Sequence, residues 1–147
     1  MYKDFESIAH TADIKVRVYG ETLSQLFRHA VSAMFQVIKP RSDECTYSND
    51  RIVCTILPIT HHIEITAIDK EALLVDFLSE ALCLSDIYNE AYLDATIEHI
   101  TETSVKAVLH GIKIQGFEVV EIKAVTYHEL AIKQSNGIWQ TDIVFDI

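Results

Sequence analysis

A chain of 147 residues with 49% hydrophobic side chains is long enough to bury a sizeable core, and its 12 basic against 22 acidic residues give a formal net charge of −10. That balance puts nucleic-acid backbones at a disadvantage as direct ligands and favours cations and basic proteins as partners. Four Gly, two Pro and no repeat or low-complexity stretch offer no linker, so residues 1–147 read as one domain. No apolar run approaches a membrane span, and the start "MYKDFESI" has neither a basic n-region nor an h-region, so a soluble, unexported, cytoplasmic chain without a membrane partner is expected. The cysteines Cys45, Cys54 and Cys83 are odd in number and lack C-x-x-C spacing. They predict neither a disulfide framework nor a zinc ribbon, and they favour a reducing cytoplasm.

In chain order, Ile14, Val16 and Val18 alternate with Lys15 and Arg17, the period of a strand with one buried face, and Asp13 stands at its mouth. After Gly20, the spacing of Leu23, Leu26, Phe27, Ala30, Val31, Met34, Val37 and Ile38 predicts an amphipathic helix. Thr22 and Gln25 form its capping box, and Lys39–Pro40 end it. The polar "RSDECTYSND" reads as a loop or edge. "RIVCTIL" and "HHIEITAI", flanking "PIT" with Pro58 at the break, read as two strands of a hairpin. Asp69 caps a second helix carrying Leu73, Leu74, Phe77, Leu78, Ala81, Leu82 and Tyr88. Four β-rich stretches follow, "AYLDATIEHI", "SVKAVLHGIKI", "AVTYHELAIKQ" and "GIWQTDIVFDI", with a hairpin turn at "SNG" between the last two. The fold class is therefore α+β, a largely antiparallel sheet with two main helices on one face.

Candidate chemistry gathers at the two ends. Aspartate is a hard oxygen ligand suited to calcium, magnesium or manganese, but several oxygens must converge from different segments. Asp13 alone is a common turn or capping residue. Asp146 is less ordinary, lying on the apolar "IVFD" run with the α-carboxylate of Ile147 beside it. His10 either supports Asp13 as a hydrogen-bond donor or caps the backbone. His61 and His62, if on a strand, point to opposite faces and cannot chelate together. In "IKAVTYHEL", alternation puts Lys123 on one face with Val125 and Tyr127, and Thr126 with His128 on the other. Lys123 then snorkels at a rim or binds an anion. No G-x-S-x-G, nucleophilic cysteine signature or Gly-rich phosphate loop is present, so autonomous catalysis is poorly supported.

Over nearly its whole length the sequence resembles the archeases. "HTAD" at His10–Asp13 followed by a strand and "YG-x-T-L", the helix "LFRHAVSAMF", "LLVDFLSEAL" at Leu73–Leu82, and "IKAVTYHEL" with terminal "FDI" occur in the family's order. The resemblance implies a compact α+β accessory factor of the tRNA-splicing RNA ligase. Such a factor assists guanylylation and multiple turnover without joining RNA itself, and meets tRNA only through the ligase. It further implies metal binding at Asp13 and Asp146 with the Ile147 carboxylate nearby, His10 and Lys123 in support, and no catalytic residue. The expected cofactor is a divalent cation, calcium first, with magnesium or manganese as alternatives. Two departures stand out: Ala9 where the family often has an acidic residue, and Phe77 where it commonly has Trp. The competing readings are a small divalent-metal phosphoesterase using Asp13, Asp146 and His10, and a general protein chaperone.

Overall fold

The computed structural model describes residues 3–8, 13–49, 51–119 and 121–147. His10 and Ala9 lie outside them. In order, the chain forms β1 (Phe5–Ile8), β2 (Ile14–Gly20), α1 (Leu23–Val37), β3 (Cys45–Ser48), β4 (Arg51–Cys54) and β5 (Ile59–Thr66). Then come α2 (Lys70–Tyr88), β6 (Glu90–Ile100), β7 (Ser104–Lys113), β8 (Ala124–Val125), β9 (Lys133–Ser135) and β10 (Ile138–Asp146). No helix is long and apolar enough to cross a membrane among the described residues.

Both helices start and stop where the sequence predicts. The Thr22 hydroxyl accepts from the Gln25 N–H at 3.0 Å, and the Gln25 side chain accepts from the Glu21 N–H at 2.7 Å, so two donors at the start of α1 are satisfied. Asp69 accepts from the Ala72 N–H at 2.8 Å and caps α2 in the same way. Lys39 (φ 52°) and Asn89 (φ 55°) turn the chain left-handed after α1 and α2. At Gly20 a Cβ would come within 2.5 Å of the Leu26 backbone nitrogen, so only glycine lets β2 end so close to α1.

The α+β class and the antiparallel pairing are as expected, but the strands divide among three sheets. One runs β1-β2-β10-β8, with β9 also on β10; another runs β5-β7-β6; β3 and β4 pair only with each other among the described strands. The helices lie on the inner faces of the two larger sheets, α1 against β2 and β6, and α2 against β5, β6, β7 and β8. Being covered on two sides, α1 buries Leu26, Phe27, Ala30, Val31, Ala33, Met34 and Phe35 completely. Each large side chain there contributes about 1.5–3 kcal/mol by leaving water. Phe77, the Trp departure, is also fully buried and meets the Phe27 ring at 5.4 Å, so the smaller ring is accommodated by core packing.

Three expectations need correction. "RIVCTIL" and "HHIEITAI" do not pair. β4 turns back through Asn49 (φ 51°) onto β3, while β5 pairs with β7, because a short local hairpin closes before the Leu57–Pro58 break. "AVTYHELAIKQ" is not one strand. After β8 a turn closes with the Leu130 N–H on the Tyr127 carbonyl, Glu129 takes a φ of 54°, and pairing resumes only at β9. Cys45 and Cys54, expected to be unpaired, face each other across β3–β4 and form a disulfide, leaving Cys83 as an exposed free thiol. Their separation follows from a hairpin the sequence reading did not place. The "SNG" turn is found as predicted, with Asn136 at φ 53° and Gly137 at φ 77° between β9 and β10.

One buried carboxylate ties the strands of the three-stranded sheet together beside the end of α2. Glu90, only 4% exposed, receives the His61 Nε2–H at 2.6 Å and the Tyr92 hydroxyl at 2.7 Å, and Lys113 Nζ lies 3.3 Å from its other oxygen. Tyr88, expected in the core, is instead 46% exposed and stacks on the His61 ring at 5.1 Å. Burial pushes the Glu90 carboxyl up, but the bonds from Tyr92, His61 and Lys113 outweigh it and hold it below the ordinary glutamate range. Because the folded carboxyl is the stronger acid, its contribution is present at neutral pH and is lost as pH falls below that range. Glu90→Ala should cost about 2–4 kcal/mol in urea unfolding at pH 7 by stranding buried donors. The difference from the unsubstituted chain should narrow on acidification. A loss under about 1 kcal/mol at pH 7 would contradict this role.

Candidate functional site

The acidic corner is built by the register of β2 and β10. Gly20 pairs with Trp139 and each following pair steps one residue, to Val16 with Ile143 and Ile14 with Phe145. Val16, Ile143 and Phe145 are fully buried, so alternate residues on both strands face the core. The register ends at Ile14 with Phe145, so Asp13, directly before Ile14, and Asp146, directly after Phe145, flank its last pair. Residues separated by 133 positions in sequence thus come to the same end of one strand pair.

β8 closes the corner from the other side. Ala124 pairs with Asp146, and the Lys123 N–H donates to the Asp146 carbonyl at 2.7 Å. Ile147, the next residue, packs partly buried against the core, so its carboxylate follows directly on this ladder. Lys123, Ala124 and Val125 all border a cavity of about 550 Å³ between this segment and the second half of α2, where Cys83 and Asp86 also contribute. The expected alternation of Lys123, Val125 and Tyr127 on one face is not seen in this wall, since Ala124 lines it too and Tyr127 bonds Asp76 instead. Of the predicted residues, Asp13, Lys123, Asp146 and Ile147 are therefore brought to one end of the sheet, and His10 lies outside the described residues.

The donor chemistry fits a hard divalent cation. Asp146 is exposed and Asp13 partly so, and carboxylate oxygens open to water are hard donors. Among the described residues no group of three or more His, Cys, Asp or Glu side chains is placed to hold a metal ion, and this applies to the carboxylates of this corner as well as to histidines and cysteines. His61 and His62 do lie on opposite faces of β5, as expected, with His61 committed to Glu90.

Sequence reasoning missed the pair that braces this corner. Four residues before Asp146, Asp142 faces Arg17 in register and takes its guanidinium by two bonds, at 2.8 and 3.1 Å, while Lys15 Nζ stands 4.0 Å away. The signal was the outward parity that Arg17 and Asp142 share with Asp13 and Asp146, which becomes legible only once the register is known. The Arg17 bonds hold the Asp142 carboxyl below the usual aspartate range, and its desolvation only partly opposes them.

Comparison with known proteins agrees with this architecture. Residues 5–147 match the Archease protein family (MTH1598/TM1083). The protein archease of Methanosarcina mazei is 37% identical over 153 residues, covering 99% of this chain and 97% of that one. The solution structure of Methanobacterium thermoautotrophicum protein 1598 superposes with a TM-score of 0.71 at 25% identity, covering 98% of this chain and 99% of the other. A Thermotoga maritima crystal structure, described as an archease and possible chaperone, shares the fold with a TM-score of 0.63 at 20% identity, covering 97% and 96%.

A double-mutant cycle of Arg17→Ala and Asp142→Ala should give a coupling of about 1 kcal/mol at neutral pH, in the upper range for a half-exposed ion pair. The sign follows from the depressed Asp142 carboxyl: the coupling is full above the ordinary aspartate range and disappears as pH falls through the lower folded value. A coupling indistinguishable from zero at pH 7 and low salt would remove the brace.

Proposed function

The chain belongs to the archease family, and on that premise we propose that it is a metal-binding accessory protein that activates the tRNA-splicing RNA ligase, promoting its guanylylation and multiple turnover. The observation that supports the metal part of this reading is the β2–β10 register, whose last pair, Ile14 with Phe145, is flanked by Asp13 and Asp146. Asp13, Asp146 and the Ile147 carboxylate would hold the cation, with calcium favoured because it tolerates irregular oxygen sets completed by water. Bound there, the ion would supply a positive centre able to meet carboxylate or phosphate oxygens of the partner.

The residues of the chain itself do the rest of the work. Asp13 and Asp146 present oxygens on a sheet that does not need to reorganise, since the strand pairs are already formed. Lys123, its N–H fixed to the Asp146 carbonyl and its side chain at the cavity rim, positions the β8 segment beside the corner. A net charge of −10 favours docking on a basic, RNA-binding ligase over competition for its RNA. With four glycines and no phosphate loop, the chain has no cradle for a nucleotide of its own, which supports an accessory role over a phosphoesterase. The chaperone description of the Thermotoga protein is compatible with a role exercised on another protein.

Two measurements test this. Substoichiometric amounts of the chain should carry its cognate ligase from about one turnover to many in a ligation assay with GTP and divalent metal, and Asp13→Ala or Asp146→Ala should each remove most of that gain with the fold intact. A ligase that stays at one turnover with the unsubstituted chain, or full activation by the Asp146→Ala chain, would contradict it. In calorimetric titrations with calcium, a C-terminal extension should weaken binding by about tenfold or more, because it converts a charged carboxylate to a neutral peptide carbonyl, whereas an N-terminal extension should not. Equal affinities would take Ile147 out of the site.

A further inference from the structure

The disulfide Cys45–Cys54 lies in the one sheet that has no other sheet to lean on. β3 and β4 pair over four residues and join neither larger sheet among the described residues. Their attachments to the body of the protein are unequal. β4 is anchored by Ile52, only 5% exposed, whose N–H donates to Gln36 Oε1 at 2.8 Å and whose carbonyl accepts from Gln36 Nε2 at 3.1 Å. Gln36 is itself buried on α1, so this clamp saturates both backbone groups of Ile52. β3 has no such anchor: Thr46, Tyr47 and Ser48 are exposed. Apart from its short ladder, its contacts among the described residues are the Tyr47 hydroxyl donating to the Pro40 carbonyl, the disulfide to β4 and the packing of Cys45 at the edge of the core.

We propose that Cys45 and Cys54 form a reversible dithiol–disulfide switch that sets the order of β3. Both cysteines are partly exposed, so a thiolate can reach the bond. A small-molecule or protein dithiol attacks one sulfur, forms a mixed disulfide and then closes on itself. Two electrons and two protons pass to the chain, Cys45 and Cys54 become thiols, and the donor leaves as its disulfide. A two-stranded hairpin without a further strand is marginally stable in water, so β3 loses its order once the cross-link opens, while β4 stays on the Gln36 clamp. The hairpin also borders an open cavity of about 500 Å³, to which β4 contributes Ile52 and Cys54 and β3 only Ser48, beside Gln36 and Leu93. This inference is independent of the ligase reading.

The test uses the full chain in its oxidised state and after treatment with dithiothreitol. Maleimide labelling should count one thiol, Cys83, before reduction and three after it, and oxidised glutathione should restore the count to one. Hydrogen exchange should accelerate by about tenfold or more at residues 45–48 on reduction, with the Ile52 amide and both helices unchanged. The double substitution Cys45→Ser with Cys54→Ser should reproduce the reduced pattern without a reductant. Three labelled thiols after exposure to the oxidant would show that the bond does not form. Equal exchange at 45–48 in both states, or loss of protection throughout the chain on reduction, would also overturn the switch.

Discussion

The antiparallel pairing of β2 with β10 is the constraint on which the molecule depends. It joins a strand near the start of the chain to the last one, so the sheet cannot form until nearly the whole sequence is available. Its inner face supplies Val16, Val18, Ile143 and Phe145 to the core that α1 covers, and its outer face carries Arg17 on Asp142. A slip of one residue would send every one of these side chains to the wrong face. The same register that fixes the core therefore fixes which carboxylates flank its last pair, Asp13 beside Ile14 and Asp146 beside Phe145.

Polar interactions hold the rest in place at a few points where apolar packing alone would not specify an arrangement. Glu90 gathers His61, Tyr92 and Lys113 from three strands beside the end of α2, and Gln36 reaches from α1 to both backbone groups of Ile52. Each is buried and satisfied, the condition under which such groups favour one structure over its competitors. The acidic corner differs in kind. Asp13 and Asp146 stand on the solvent side of the sheet, where carboxylates can be brought together without the desolvation cost that burial would impose.

Much of this was legible in the sequence. Helical spacing and the caps Thr22 and Asp69 located both helices, alternation located β2 and its outward Asp13, and Asn136–Gly137 announced the last hairpin. These features are local, set by periods of a few residues and by side chains that satisfy nearby backbone groups. What escaped was strand pairing. The true partner of β4, the division of the strands into separate sheets and the disulfide all follow from which strands meet, and spacing along the chain carries no such information. A site shared by Asp13 and Asp146 was expected from family motifs and hard-ligand chemistry; that the two flank the last pair of a register counted down from Gly20 and Trp139 required the fold.

The central claim, that the two ends of the sequence make one cation site, is tested most directly by titrating manganese into isotope-labelled chain and following amide resonances. Paramagnetic broadening should appear together at Asp13, Lys123, Ala124, Asp146 and Ile147 at the lowest metal concentrations and be displaced by calcium. Broadening centred elsewhere, or at one terminus without the other, would contradict the account.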